Sequence, residues 1–149
     1  MRKLILMSLV LGIAGATGAL ASEKKVKMAD LPSAVQQTVK EQTKGATLVG
    51  LNKEIEGGKT TYEAETKVNG RSRDVEIDES GAVVAIEEEV ALDSIPAAAK
   101  AAIEKQVAGG KIRKVESVTK GSTVTYEAAV TINGKKSEIA VAADGSPVK

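Results

Sequence analysis

The chain of 149 residues has no cysteine, no histidine, no tryptophan and no phenylalanine, and only two tyrosines. Each absence closes off chemistry. Without His or Cys there can be no Ser-His-Asp triad, no Cys-His pair, no zinc centre of the usual ligand set and no structural disulfide. Without Trp and Phe, the usual stacking platform for sugars and bases is missing. A charge excess is missing too: 21 Lys and Arg stand against 20 Asp and Glu, so nothing global attracts nucleic acid or anionic lipid.

The first residues read as an export leader. Arg2 and Lys3 form a basic start, residues 4–11 are apolar apart from Ser8, and Ala19-Leu20-Ala21 places small residues where a signal peptidase needs them. Residues 1–21 are therefore expected to be a signal peptide cleaved after Ala21, giving a periplasmic or secreted protein that is not membrane-embedded. The apolar run is too short to span a bilayer of about 30 Å. Loss of Arg2 and Lys3 takes the net charge from +1 to about −1. Lys24, Lys25 and Lys27 then belong to a solvated tail over residues 22–29.

Shifted by 64 positions, the sequence matches itself without a gap from residues 31–85 onto 95–149. Pro32 meets Pro96, Gly57 meets Gly121, Thr61-Tyr62-Glu63-Ala64 meets Thr125-Tyr126-Glu127-Ala128, and Asn69-Gly70 meets Asn133-Gly134. Such self-similarity marks an internal duplication. Each copy opens with a helix, since Leu31, Val35 and Val39, then Ile95, Ala99, Ile103 and Val107, recur at helical spacing, with a Pro in the first turn and Gly45 or Gly109 as the stop.

Behind each helix the period becomes two. Tyr62, Ala64, Thr66 and Val68 share one side of a strand and Glu63, Glu65 and Lys67 the other, with Tyr126, Ala128 and Val130 repeating the pattern. The Asn-Gly pairs, with Gly70 and Gly134, predict two-residue hairpins. Ile112 and Val115 are out of phase, and a bulge near Arg113 and Lys114 would restore it. The expected fold class is α+β: two tandem repeats, residues 30–90 and 91–149, each one helix followed by a three- to four-stranded antiparallel sheet with the helices packed on one face. The two sheets are expected to dock or join edge to edge. Tyr62 and Tyr126, the only aromatics, are expected to fill the space between helix and sheet as core residues.

The Leu-Pro or Ile-Pro helix start, the Tyr-Glu-Ala strand, the Asn-Gly hairpin and the Gly-containing turn after it, in that order and twice, resemble the exported bacterial PepSY-like domains, grouped with the beta-lactamase-inhibitor-like (BLIP-like) fold. The resemblance covers residues 31–149. It implies a helix packed on antiparallel strands, an extracytoplasmic location, no catalytic site and a role in binding or restraining other proteins, such as a protease or hydrolase. The aromatic-rich, disulfide-bearing grip of the beta-lactamase inhibitors is absent here, which weighs against that particular target.

Carboxylates are the only plentiful acid-base groups, so a two-carboxylate hydrolase is the enzyme class that the composition leaves standing. Glu63 and Glu127 lie on the polar side of their strands with no sequence feature to build a cleft, so no catalytic residue is assigned. Asp78-Glu79-Ser80-Gly81 lacks the spacing of a calcium loop and reads as a turn, and Glu87-Glu88-Glu89 reads as a charged edge. No cofactor or metal site is expected. The best functional surface is the polar sheet face: Glu63, Glu65, Lys67, Arg71 and Arg73 in the first copy and Thr125, Glu127, Thr131 and Lys135 in the second. The expected function is that of a monomeric, non-enzymatic module binding an envelope or secreted protein through this face. The alternative is an envelope-stress protein, or one that binds a cation or small ligand without a specific protein target.

Overall fold

The computed structural model describes residues 22–148. The leader expected over residues 1–21, with its cleavage point at Ala21, lies outside the described residues. In chain order the elements are β1 (Ser22–Lys25), a 3-10 turn (Met28–Asp30), α1 (Ser33–Gln42), β2 (Thr47–Glu56), β3 (Lys59–Val68), β4 (Arg71–Asp78), β5 (Val83–Glu89), a second 3-10 turn (Leu92–Ser94), α2 (Ala97–Val107), β6 (Lys111–Lys120), β7 (Thr123–Ile132) and β8 (Lys135–Ala142). Among the described residues, no helix is long and apolar enough to cross a membrane.

All eight strands belong to one sheet in the order β1 to β8, a meander with two helices. This corrects the expectation of two tandem helix-plus-small-sheet repeats. The strand expected to close the first repeat, β5, pairs antiparallel with β6 through Ile86 and Thr119, Glu87 and Val118, Glu88 and Ser117, and Glu89 and Glu116. A strand edge carries a row of unpaired N–H and C=O groups, and the following strand satisfies them. Periodicity marks where strands are; it carries no information about which edge takes the next partner. The expected solvated tail is also partly a strand: β1 pairs with β2 from Ser22 opposite Ile55 to Lys25 opposite Asn52, although its side chains stay exposed.

The chain forms two compact units, residues 22–90 with 116–124, and residues 91–115 with 125–148. In the first, Leu31 just before α1, with Val35 and Val39 of α1, packs against Leu51, Tyr62, Ala64, Val75 and Ile77 of β2, β3 and β4. Tyr62 is 5% exposed, as a core tyrosine should be. In the second, α2 buries Ala99, Ile103 and Val107, and the strands bury Val115, Ala128, Val130, Ile139 and Val141. Tyr126, opposite Val141 as Tyr62 is opposite Ile77, holds the position that the repeat predicts but is only half-buried there.

Local signals explain the boundaries. Pro32 and Pro96 stand at the N-caps, one position before the expected first turn, with ψ of 146° and 139°, and their carbonyls accept the first helical bonds from Gln36 and Lys100. Both Asn-Gly pairs take positive φ at each residue (Asn69 51°, Gly70 83°, Asn133 49°, Gly134 76°), the requirement of the expected hairpin turn. A bulge interrupts β2 between Leu48 and Gly50. It lets Leu48 and Leu51, three apart, both lie on the α1 side of the sheet.

Candidate functional site

In the first unit the sheet has two contrasting faces. The register places Leu51, Tyr62, Ala64, Val75 and Ile77 under α1. The opposite face receives Glu23 from β1; Asn52 and Glu54 from β2; Glu63, Glu65 and Lys67 from β3; Asp74 and Glu76 from β4; and Ala85 and Glu87 from β5. Its centre is acidic. Lys25 and Lys67 lie on this face at strand ends, and both are exposed.

The hub of this face is Asn52, which is 1% exposed. Its Nδ2 donates to Glu63 Oε2 and to Glu65 Oε1, each at 3.0 Å. The Glu65 carboxylate lies over Gly50, where an added Cβ would come within 2.6 Å of Glu65 Oε2, so the glycine makes room for the acid. Asn52 Oδ1 is buried and has no hydrogen-bond partner. Burial, above all, raises the Glu63 pKa to about 7, with further pushes from Asp74, Glu54 and Glu65; the Asn52 hydrogen bond opposes them. Glu54 is raised as well, by burial and then by Glu23, Glu76 and Glu56. Oxygens of Glu23, Glu54 and Glu63 lie within 4.8 Å of one another. Nothing in the residues around Glu63 in sequence points to a shift; burial on the sheet face supplies it, and Asp74, Glu54 and Glu65 add to it. The side of β2 that Asn52 and Glu54 take could have been read only by locating the bulge at Val49.

The other sequence-predicted residues are divided between faces. Glu63, Glu65 and Lys67 share the acidic face. Arg71 and Arg73 do not, because Arg73 pairs with Thr66 and Arg71 with Val68, which puts both on the α1 side. There Arg73 Nε meets Glu88 Oε1 at 3.3 Å, and its Nη1 and Nη2 donate to the carbonyl oxygen and to Oε1 of Gln42 at 3.2 and 3.0 Å, tying β4 to the end of α1. Arg71, Arg73 and Glu88, with Asn69, Ser72 and Glu89, line a shallow cleft. Within it the Ser72 N–H and hydroxyl both donate to Glu89 Oε2 at 3.1 Å.

In the second unit Thr125, Glu127 and Thr131 share one face of β7 with Glu138 and Lys136 of β8. Lys135 pairs with Ile132 and lies on the opposite face, the one that carries Val130 and Ile139. Thr131 Oγ1 is buried without a partner. The Asp78 turn is a turn, as expected: Asp78 Oδ1 accepts from the N–H groups of Ser80 and Ala82 and from the Ser80 hydroxyl, which holds its pKa below the usual carboxylate range.

No family model matches the chain, and no curated protein matches it. Solved structures do share its architecture. A candidate periplasmic protein from Bacteroides eggerthii is 20% identical with a TM-score of 0.66, covering 80% of this chain and 86% of its own. A DUF2874 family protein from Bacteroides ovatus is 21% identical with a TM-score of 0.62, over 80% and 85%. A BLIP-like protein from Bacteroides fragilis is 22% identical with a TM-score of 0.59, over 79% and 84%. The chain therefore has the fold of the BLIP-like and DUF2874 structures.

Proposed function

We propose that the chain is an exported, non-enzymatic module that holds a protein partner carrying basic side chains on the sheet face opposite α1. One observation carries the reading: a chain of near-neutral total charge gathers Glu54, Glu63, Glu65, Asp74 and Glu76 on adjacent strands of a single face. Clustered charge of one sign steers a complementary partner and rejects like-charged ones. The face has become acidic rather than mixed, because Arg71 and Arg73 belong to the other side.

Export is supported by the leader pattern ending at Ala21 and by the periplasmic description of the B. eggerthii protein. The BLIP-like likeness and the PepSY-like sequence features favour restraint of another envelope protein, a protease or other hydrolase.

The test is crosslinking of the tagged protein in intact cells, followed by identification of what it holds and repetition with a Glu65→Gln, Glu76→Lys double variant. Capture of a basic partner should fall at least tenfold in the variant, and binding of the purified pair should weaken as salt rises. Capture undiminished by the double variant would sink the proposal.

A further inference from the structure

We propose that the outer edge of β8 binds β1 of a second copy of this chain, so that copies join head to tail. The template lies in the middle of the chain itself, where β5 stands between β4 and β6 and pairs with both. β1 repeats β5 at the shift of 64. Ser22 opposite Ile55 becomes Ile86 opposite Thr119, and Lys25 opposite Asn52 becomes Glu89 opposite Glu116, with the two pairs between them in the same register. β1 therefore sits on β2 as β5 sits on β6. Among the described residues, however, no strand takes the place of β4 beside it: β1 and β8 are the two edges of the sheet.

β8 is the counterpart of β4 and shows the other half of the same junction. After its turn the Ser146 carbonyl accepts from the Ala142 N–H at 2.8 Å and Pro147 bridges to Val141. After β4, likewise, the Ala82 carbonyl accepts from the Asp78 N–H at 2.9 Å and Val83 lies opposite Ile77. In β5 the chain continues through residues 86–89, and their counterpart is β1, at the other end of the sequence. The strand that is whole between β4 and β6 is thus divided between the two edges of the molecule.

The backbone groups of the two edges match. The Val148 N–H donates to the Ala140 carbonyl at 3.1 Å, so alternation turns the N–H and C=O of Glu138 and Lys136 outward as well. On β1 the Val26 N–H donates inward to the Leu51 carbonyl, which leaves the groups of Glu23 and Lys25 outward. The register of β5 on β4 then sets Glu23 opposite Glu138 and Lys24 opposite Ser137, with Lys25 opposite Lys136 one step on. An added strand satisfies such a row of unpaired groups. Like charges face one another in two of these pairs and opposite charges lie diagonally, so the contact is weak and belongs to concentrated protein. The monomer expected from the sequence is the dilute form. Because the two edges differ, the contact does not close as a twofold dimer does, and copies add in rows. This contact is independent of the partner-binding face, which is tested at Glu65 and Glu76.

The chain has no cysteine, so a pair introduced as Lys24→Cys and Ser137→Cys reports this contact alone. Facing residues that do not bond through their backbones lie about 4.5 Å apart at Cα, within disulfide reach. Mild oxidation of residues 22–149 carrying the pair, at high protein concentration, should give a ladder of linked copies on non-reducing gels. It should exceed at least tenfold that of Lys24→Cys with Lys105→Cys, whose second site is exposed on α2. Adding Glu138→Pro, which removes one outward N–H and spares the bonds to β7, should abolish the ladder. Exchanging charges with Lys136→Glu and Glu138→Lys, which sets opposite charges face to face, should instead raise it severalfold at low salt. A ladder no stronger than the control's, one that survives Glu138→Pro, one that the charge exchange weakens, or links confined to single chains would overturn the proposal.

Discussion

Glu63 stands between Asn52 of β2 and Glu76 of β4, and the folded protein keeps its proton to about pH 7. The unfolded chain releases the same proton near the ordinary value of 4.5. Between those values the native state binds more protons than the unfolded one, so stability falls as pH rises through this window and is level above it. The fall should reach at most about 3 kcal/mol. Urea melts at pH 5 and pH 8 will measure it; Glu63→Gln, whose amide oxygen can still accept from Asn52, should shrink the fall, leaving the smaller part due to Glu54, and be the more stable protein at pH 8. A second residue pays in backbone strain: Ala108 ends α2 in the left-handed region at φ 41°, where a Cβ is unfavourable. Ala108→Gly should raise stability by about 0.5–1 kcal/mol in the same assay. At this scale the sequence was half legible. Alternation along β3 assigns Glu63 to the polar face, but it says nothing about which side chain stands opposite, and a single bulge residue in β2 changes that answer.

At the scale of elements, the helix starts, the Asn-Gly hairpins and the Gly turns were readable because each depends on a few neighbouring residues. The turn after β4 adds a contact that local rules do not supply. Gly81 has φ 88°, its would-be Cβ lies 3.0 Å from backbone atoms of Ala34, and its carbonyl accepts from the Thr38 hydroxyl at 2.6 Å, so α1 rests directly on the turn. Gly145 meets α2 in the same manner, where an added Cβ would come within 2.6 Å of the Ala98 carbonyl oxygen. The two turns share their backbone bonds, yet Asp78 caps the first and Asp144 the second, from different positions relative to the glycine. Gly81→Ala should therefore cost about 2–4 kcal/mol, strain and displaced helix together. Gly57→Ala, also at positive φ but with open space around it, should cost only about 1 kcal/mol. Thermal melts of the two variants will separate contact from conformation.

For the whole molecule, the repeat in the sequence foretold the succession of elements but left their assembly open between docked and edge-joined sheets. The chain builds one sheet rather than two small ones, because β6 satisfies the edge of β5. It also separates its charges more sharply than strand parity suggested: Arg73 is drawn to Gln42 and Glu88 on one side, leaving Glu63 and Glu65 on the other. Both outcomes depend on pairings remote in sequence, which no window of neighbouring residues contains.

The irregularity in β2 also bears on how many molecules can live together at high concentration. β1 ends opposite Asn52, so among the described residues the stretch from Thr47 to Gly50 pairs with β3 alone, and Leu48 and Val49 are exposed there at 39% and 50%. A flat greasy rim of this kind invites other copies to zip on and grow into fibrils. The extra residue at Val49 buckles the rim and spoils its hydrogen-bond spacing. Deleting Val49 should produce oligomers visible by sedimentation velocity at concentrations where the intact chain remains dispersed: the kink that hides Asn52 from a reader of the sequence is also what keeps neighbouring copies from fusing along this rim.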